Sequence, residues 1–454
     1  MSQPKNRKIT IAGAGLVGSL LAIFLSKRGY EVEVYEKRPD MRKGQAAAGR
    51  SINLALSDRG IRALEKVGIM DSIRELCIPM KGRFLHQSDG TSNFQPYGKA
   101  GQFINSVSRG ELNKKLIQLA EASGARFFFQ RCCKQVDFAK REILFEDEQN
   151  GKQVSHAFDL FFGADGAFAA TRLQQQLQHD RFQYHQFYID YGYKELTILP
   201  SPANSFRMES RALHIWPRGK FMLIALPNID KSFTCTLFLP FKGNSSFEEL
   251  GDPAAAREFF DEVFPDASAM MPGLEAEFFR NPTASLVTVK CYPWIRKDFF
   301  ALIGDAAHAI VPFFGQGMNC GFEDCLVLDD LVEKYNDDWS LILEEYEKLR
   351  KPDADAIAEL ALNNFVEMRD KVTDPRFLLQ KKIEARLHER FPEQWIPAYA
   401  QVTFSPGIRY SEALERGIRQ QAIMDEIMTL HNLENKLDDE SILSEIIKKV
   451  QEKN

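Results

Sequence analysis

The sequence predicts an α/β protein in which a parallel-sheet domain is interrupted by an antiparallel sheet and followed by a helical region. Three observations carry this reading. Arg7 to Arg38 reads as strand, glycine turn, helix and second strand, with G-x-G-x-x-G at Gly13, Gly15 and Gly18. Residues 182–241 alternate apolar and polar in several short runs separated by turns. From Phe299 the chain returns to strand, glycine turn and helix, and from Trp339 it is helical almost to its end. The expected division is therefore 1–80, 100–180 and 285–335 for the first domain, 81–99 and 181–284 for the antiparallel domain, and 336–454 for the helical region.

The first stretch carries chemistry. In this motif the first glycine makes a tight turn, the second lets backbone approach a pyrophosphate, and the third lets helix pack on strand. Unpaired N–H groups and a positive dipole end then face the pyrophosphate. Glu36 ends the second strand. A carboxylate there suits the two hydroxyls of an adenosine ribose and repels a 2′-phosphate, so the bound dinucleotide is expected to be FAD or NAD rather than NADP. Ile9 to Leu25 is uncharged and follows Lys5, Arg7 and Lys8, which mimics a signal peptide. The three glycines interrupt that would-be apolar helix, and no small-x-small cleavage site follows.

Composition narrows the class. A chain of 454 residues can bury a large core, and 44% hydrophobic with 27% charged residues is usual for a soluble globular protein. A net charge of -5 without basic runs argues against general nucleic-acid binding. The seven cysteines are scattered and form no C-x-x-C, and no H-x-x-x-H pair occurs, so reduced cytosolic thiols and no metal site are expected.

The remaining elements follow in order. Ser51 to Leu56 reads as a strand, and Asp58 to Val67 as a helix closed by Gly68. Met80 to His86 and Thr91 to Tyr97 read as extended around Ser88-Asp89-Gly90. An S-x-x-E box at Ser108 to Glu111 starts a helix with Arg109 in its first turn. A cation is unfavourable there, so Arg109 either answers a phosphate or is an ordinary surface arginine. Ala125 to Phe129 is strand-like, and Asn150-Gly151 joins a hairpin. Phe158 to Arg172 places Gly-x-Asp-Gly, with Asp165, after an apolar strand. That loop either approaches a cofactor or is a tight strand-to-helix turn. Pro253 to Phe264 is a helix. Phe299 to Asn319 runs from a buried strand through Gly304-Asp305 and Pro312 to a second glycine turn, Gly315 to Gly317, and a helix opened by Met318 and Asn319. Asp439 to Val450 is amphipathic and is expected to pack on the helical region.

GAGLVG…YEKR, FGADGA and LIGDAAHAIVPFFGQGMN, standing in this order, resemble the group A flavoprotein aromatic hydroxylases, the 4-hydroxybenzoate hydroxylase superfamily. KGRFLHQSDG…QPYG, LNNFVEMRDKV and PAYAQVTFSPGIRYSEAL narrow the resemblance to the kynurenine 3-monooxygenase family, over nearly the whole chain. The resemblance implies a Rossmann-like FAD-binding domain with an inserted antiparallel-sheet substrate domain and a helical C-terminal region that completes the site. It implies tightly bound FAD, NADPH as a transient co-substrate docking at a place the sequence does not locate, and O2 activated as a flavin hydroperoxide. The substrate it implies is L-kynurenine, converted to 3-hydroxy-L-kynurenine in tryptophan degradation on the route to quinolinate and NAD.

The same resemblance implies residue roles. Val17, Glu36, Lys37, Arg38, Ala55, Arg109, Asp165, Asp305, Met318 and Asn319 would line FAD beside the motif glycines Gly13, Gly15, Gly18 and Gly317. Arg83 would hold the substrate carboxylate in a bidentate pair, with Tyr97 donating to it. Asn364 and Tyr399 would complete the polar end, Met368 would share a helix face with Asn364, and Phe313 and Phe314 would wall the ring. Apolar contacts would come from among Phe187, Leu213, Phe221, Leu223 and Phe238. No catalytic general base is expected, because the aniline nitrogen already donates electron density to the ring; His308 is read as structural. The chain ends KKVQEKN, without the hydrophobic tail of membrane-anchored relatives, which points to a soluble, cytoplasmic, bacterial enzyme, monomeric or homodimeric. The alternatives are a hydroxylase of another aromatic acid, a flavin redox protein that does not hydroxylate, and an NAD-linked dehydrogenase, which would need a relay base that the sequence does not offer.

Overall fold

The computed structural model describes residues 7–44, 53–97, 101–367, 374–429 and 440–452. Its organising layer is a six-stranded sheet in the order Ile295–Arg296, Phe300–Leu302, Leu160–Gly163, Lys8–Ala12, Glu31–Glu36 and Arg126–Phe129. The ladders are parallel except at the short edge strand. Ile9, Ile11, Val32, Val34, Phe161 and Phe162 are buried, as expected of strands covered on both faces. Helix Leu16–Lys27 is buried from Gly18 to Leu25 and packs against helices Arg109–Ala122 and Gly317–Tyr335.

Four features flagged in the sequence gather at the carboxyl ends of these strands. The glycine turn follows Ala12, Glu36 ends its own strand, Asp165 follows Gly163, and Gly304-Asp305 follows Leu302. In open α/β sheets that edge is where ligands bind.

The second sheet has seven strands: Ala284–Tyr292, Gln183–Ile198, Phe233–Pro240, Phe221–Pro227, Ala212–Arg218, Gly82–His86 and Ser92–Pro96. It is antiparallel except that Gly82–His86 runs parallel to Ala212–Arg218. The domain boundary expected at 285 needs correction. Ala284–Tyr292 is a strand of this sheet, paired with Gln183–Ile198 from Tyr292↔Gln183 onward. Cys291 is buried in the first domain's core and Val289 N donates to the Ala309 carbonyl at 2.8 Å, so this strand also touches the first domain. Met80–His86 is not one extended segment either. Cys77–Met80 belongs to a small sheet with Ile104–Ser108 and Asn53–Leu56, and the chain changes sheets at Lys81.

Strand period sorts the second sheet's two faces. Leu223, Ala225, Leu237 and Trp216 pack under helices Pro253–Val263 and Leu274–Arg280. Met222, Ile224, Leu226 and Phe238 face the other way, towards the helical region. That region comprises helices Trp339–Val366, Pro375–Arg390, Ala398–Phe404, Tyr410–Ile427 and Glu440–Glu452. The last buries Leu443, Ile446, Ile447 and Val450 against Leu387, Trp395 and Met424. Among the described residues, no helix is long and apolar enough to cross a membrane.

Candidate active site

At the first glycine turn, packing and access separate cleanly. Gly13 sits at φ +105°, and a Cβ there would fall 2.3 Å from the Ala164 carbonyl oxygen; one on Gly18 would fall 2.0 Å from the Gly13 oxygen. Both glycines are demanded by the protein's own backbone. A Cβ on Gly15 would meet nothing within 4 Å, which is the open approach a pyrophosphate needs. Glu36 lies behind this opening, accepting from Ala14 N at 2.8 Å and from Arg38 N and Nε at 2.9 and 2.8 Å. Burial pushes its carboxyl up, but Arg38 and the backbone donors outweigh burial and hold it below the ordinary carboxylate range. It therefore stays ionised. Arg38 is exposed and paired to Glu36, and Lys37 is exposed.

The returning segment closes on this turn. Cβ atoms on Gly304 and Gly321 would fall 3.0 and 2.5 Å from Val17 Cγ2. Gly304 has φ +61°, and Asp305 after it is half-buried. Gly315 at φ +66° turns the chain into helix Gly317–Tyr335, whose Met318 and Asn319 are buried. Asn319 is committed within the protein. Its Nδ2 donates to the carbonyls of Ala55 and Gly315 at 2.8 and 2.9 Å, and its Oδ1 accepts from Ser57 N at 2.9 Å. It pins the strand carrying Ala55 to the second glycine turn. Asp165 is likewise spent locally, accepting from Thr171 N at 3.0 Å and Thr171 Oγ1 at 2.5 Å. It caps the following helix, so the two candidate roles of that loop resolve towards the tight turn for the carboxylate itself. Arg109 is exposed at the start of its helix, with no carboxylate partner among the described residues.

Behind Gly304 lies a buried ionic node that the sequence did not announce. Asp324 accepts from Gly304 N at 3.1 Å, His308 Nε2 at 2.6 Å and Arg350 Nε at 2.7 Å. Arg350 also donates to Glu323 at 2.7 Å and Asp353 at 3.3 Å, and Arg59 donates to Glu323 at 2.8 Å. Burial opposes charge on Asp324, but His308 and Arg350 hold its carboxyl below the usual range. Cys320 Sγ lies 3.9 Å from His308 Nδ1, yet the Asp324 oxygens are already shared among three donors, which makes this an ion-pair node. His308 is thus held inside this buried node. Tyr410, donating to Gln316 at 2.9 Å, and Arg59, donating to the Val402 carbonyl at 2.8 Å, tie the node to the helical region.

The other end of the cleft is built from side chains. Arg83 is half-buried, with its guanidinium 4.5 Å from the Tyr399 ring centroid and 5.5 Å from that of Tyr97. Among the described residues no carboxylate pairs with it, and its electrostatic neighbours are the two phenols. The Tyr97 oxygen is buried without a well-formed hydrogen bond among the described residues, and its polar neighbours are Arg83 and Tyr399. Burial raises its pKa well above the ordinary phenol value, so it remains a donor. Tyr399 stacks on Phe314 at 5.6 Å and on Tyr97 at 5.8 Å. Phe313 packs on Phe238 and Phe365 at 5.1 and 4.6 Å, and its carbonyl accepts from Asn364 Nδ2 at 2.7 Å. Met368 lies outside the described residues. Of the five apolar candidates, Leu213 and Phe238 pack on this side; Phe221 and Leu223 belong to the opposite face, and Phe187 is exposed. Met222 and Ile224 share the site's side and were missed, though counting alternate residues from Leu226 would have found them.

Comparison with known proteins places this geometry. The FAD binding domain family matches residues 6–361. The kynurenine 3-monooxygenase of Christiangramia forsetii is 49% identical over 443 residues, 98% of each chain. That of Flavobacterium johnsoniae is 50% identical over 428 residues, 94% of this chain and 95% of its own. The chain belongs to the kynurenine 3-monooxygenase family. The Sus scrofa member is 44% identical over 431 residues, 93% of this chain and 89% of its own. Among solved structures, 2-methyl-3-hydroxypyridine-5-carboxylic acid oxygenase superposes with a TM-score of 0.66 at 20% identity, over 82% of this chain and 95% of its own, which shows a shared fold.

FAD is the cofactor of this family, and the residues present fit it. The open space before Gly15, the ionised Glu36 behind it and the half-buried Asp305 at the next strand end form one edge. Met318 and Gly317 open a long helix whose N-terminal N–H groups and dipole face the same side as the glycine turn.

Proposed function

We propose that this protein hydroxylates L-kynurenine to 3-hydroxy-L-kynurenine, with NADPH and O2 as co-substrates. The observation that carries the substrate assignment is Arg83, a half-buried guanidinium beside the rings of Tyr97 and Tyr399 with no carboxylate partner among the described residues. A buried cation left unpaired is costly, and a substrate carboxylate removes that cost. The Tyr97 hydroxyl, buried beside Arg83, donates to the same carboxylate.

The chain's own residues do the following. Arg83 and Tyr97 fix one end of the amino acid. Asn364, held by the Phe313 carbonyl, lines the polar end beside Tyr399. Phe314, Phe238 and Leu213 set the ring's plane and keep water from it. The open backbone at Gly15 would hold the pyrophosphate, in a turn shaped by Gly13 and Gly18, while Glu36 would hold the adenosine ribose and Asp305 the ribityl hydroxyls. Bound FAD takes reducing equivalents from NADPH and activates O2 for insertion into the ring. The helix N-terminus at Gly317 favours negative charge beside the isoalloxazine. No protein base is required, because the substrate's amino group already activates the ring.

Stopped-flow oxidation of NADPH by the purified yellow protein, with and without L-kynurenine, tests this reading. The expected outcome is strong stimulation and a product heavier by one oxygen. Stimulation by another aromatic acid alone would replace the substrate, and no stimulation by any would return a redox protein that does not hydroxylate.

A further inference from the structure

Behind the strand that presents Arg83, two histidines and a carboxylate form a chain. Side chains of Gly82–His86 alternate between faces, so Arg83 and His86 point to opposite sides of the sheet. His86 Nδ1 lies 3.0 Å from Asp266 Oδ2. His86 Nε2 lies 2.9 Å from His214 Nδ1, and His214 Nε2 lies 2.8 Å from the Glu209 carbonyl oxygen. Trp216 Nε1 donates to both Asp266 oxygens, and its ring stacks on His86 at 4.1 Å. His214 is 1% exposed.

The hydrogens in this chain can be counted. Its two ends, an ionised carboxylate and a backbone carbonyl, only accept. The His86 nitrogen facing Asp266 therefore carries a hydrogen, and so does the His214 nitrogen facing Glu209. The central contact between ring nitrogens holds only with one hydrogen between them. That makes three hydrogens on two imidazoles, one more than two neutral rings carry. With two, one contact would set lone pair against lone pair.

We propose that the His86–His214 pair carries one excess proton at neutral pH, ion-paired with Asp266, and that this charged clamp positions the strand presenting Arg83, so that affinity for the substrate titrates with the pair. The affinity half of this rests on Arg83 being the carboxylate anchor. His86 and His214 are positioning residues and touch neither substrate nor cofactor.

The surroundings agree on where the charge sits. Burial lowers His214 to about 4, which disfavours charge on that ring. Burial raises Asp266, but hydrogen bonds from His86 and Trp216 outweigh it and bring the carboxyl down to about 2. Arg218, which donates to the His86 carbonyl at 2.9 Å and to the Val263 carbonyl at 2.8 Å, opposes a second charge. Glu209 favours charge on His214, and Phe233 and Phe84 present only ring carbon.

The test uses the FAD-loaded full chain with 15N-labelled histidine. NMR at pH 7 is expected to show His86 with both ring nitrogens protonated and His214 neutral. Across the loss of that one proton, KM for L-kynurenine is expected to rise about fivefold at constant kcat and constant FAD content. Asp266→Asn should move the proton loss to lower pH and give the high-pH KM already at pH 7, and Asp266→Glu should restore both. Two neutral rings at pH 7, or an unchanged KM profile in Asp266→Asn, would overturn the proposal. Should Asp266→Asn not fold, His214→Gln serves, with the same loss of the excess proton expected. If Arg83→Ala leaves L-kynurenine affinity unchanged, the anchor reading and the affinity half fall together, while the proton count is read independently by NMR.

Discussion

Arg350 and Arg83 are both withdrawn from solvent and are treated in opposite ways. Arg350 is 2% exposed and its guanidinium meets Asp324, Glu323, Asp353 and the Cys320 carbonyl. Arg83 is half-buried and meets two aromatic rings. The first has every donor answered by its own chain, and serves to hold Gly304 and the helical region in place. The second has two phenols and, among the described residues, no carboxylate beside it, which is what the proposed anchoring role requires. Partner inventory, more than burial, separates a cation that builds a site from one that uses it.

The sharpest way to break this contrast is to remove each cation. Arg350→Met is expected to destabilise the FAD-loaded protein by about 3–5 kcal/mol in chemical denaturation, because three carboxylates are left buried together. Arg83→Ala should stay within about 1 kcal/mol of the parent in the same assay. Equal midpoints for the two variants would end the distinction. Arg83→Ala should instead weaken L-kynurenine binding by roughly 2–4 kcal/mol with FAD content kept; unchanged affinity would leave the carboxylate without an anchor.

Glu36 stands between the two cases, partnered by Arg38 and Ala14 yet placed at the open turn. Glu36→Ala is expected to weaken FAD retention by about 1.5–3 kcal/mol, read by flavin release on dilution. Full retention would make Glu36 another internally satisfied charge. The node's acid sensitivity offers a finer probe. Asp324 is held below its usual range, so its contribution is present above the unfolded value of about 4 and is lost as pH falls below it. Arg350→Met should flatten that acid limb of the stability curve. The smallest effect belongs to Tyr97→Phe, about 1 kcal/mol in L-kynurenine affinity with FAD binding intact; no change would assign the buried hydroxyl elsewhere.

The cofactor end was legible because backbone makes it. Gly13, Gly15, Gly18, Gly304 and Gly315 are required by turns and close approaches, and such requirements leave a spaced signature in sequence. The two parallel-sheet returns and the helical C-terminal region were legible for the same reason. The substrate end is assembled from residues 83, 97, 313, 314 and 399 on separate elements, and no local period links them; resemblance supplied that grouping. For Asn319 and Asp165, only coordinates reveal that their polar atoms bond to Ala55, Ser57 and Thr171. The strand Ala284–Tyr292 fell on the wrong side of the expected boundary because its partner in the sheet, Gln183–Ile198, lies a hundred positions earlier and nothing local announces the pairing. Buried ion pairs such as Arg350–Asp324 are illegible in principle, since charged residues on a helix read as a solvated face until a partner is seen.

The closure of Gly304 and Gly321 over Val17 has a consequence for biogenesis. Cys325 Sγ reaches the Val17 carbonyl across 308 positions of chain. The opening strand, turn and helix leave the ribosome as half of a nucleotide pocket, and the other half is not made until most of the polypeptide exists. Holoenzyme assembly is therefore a late event, and a nascent chain stalled before Gly304 has no finished pocket with which to capture its prosthetic group.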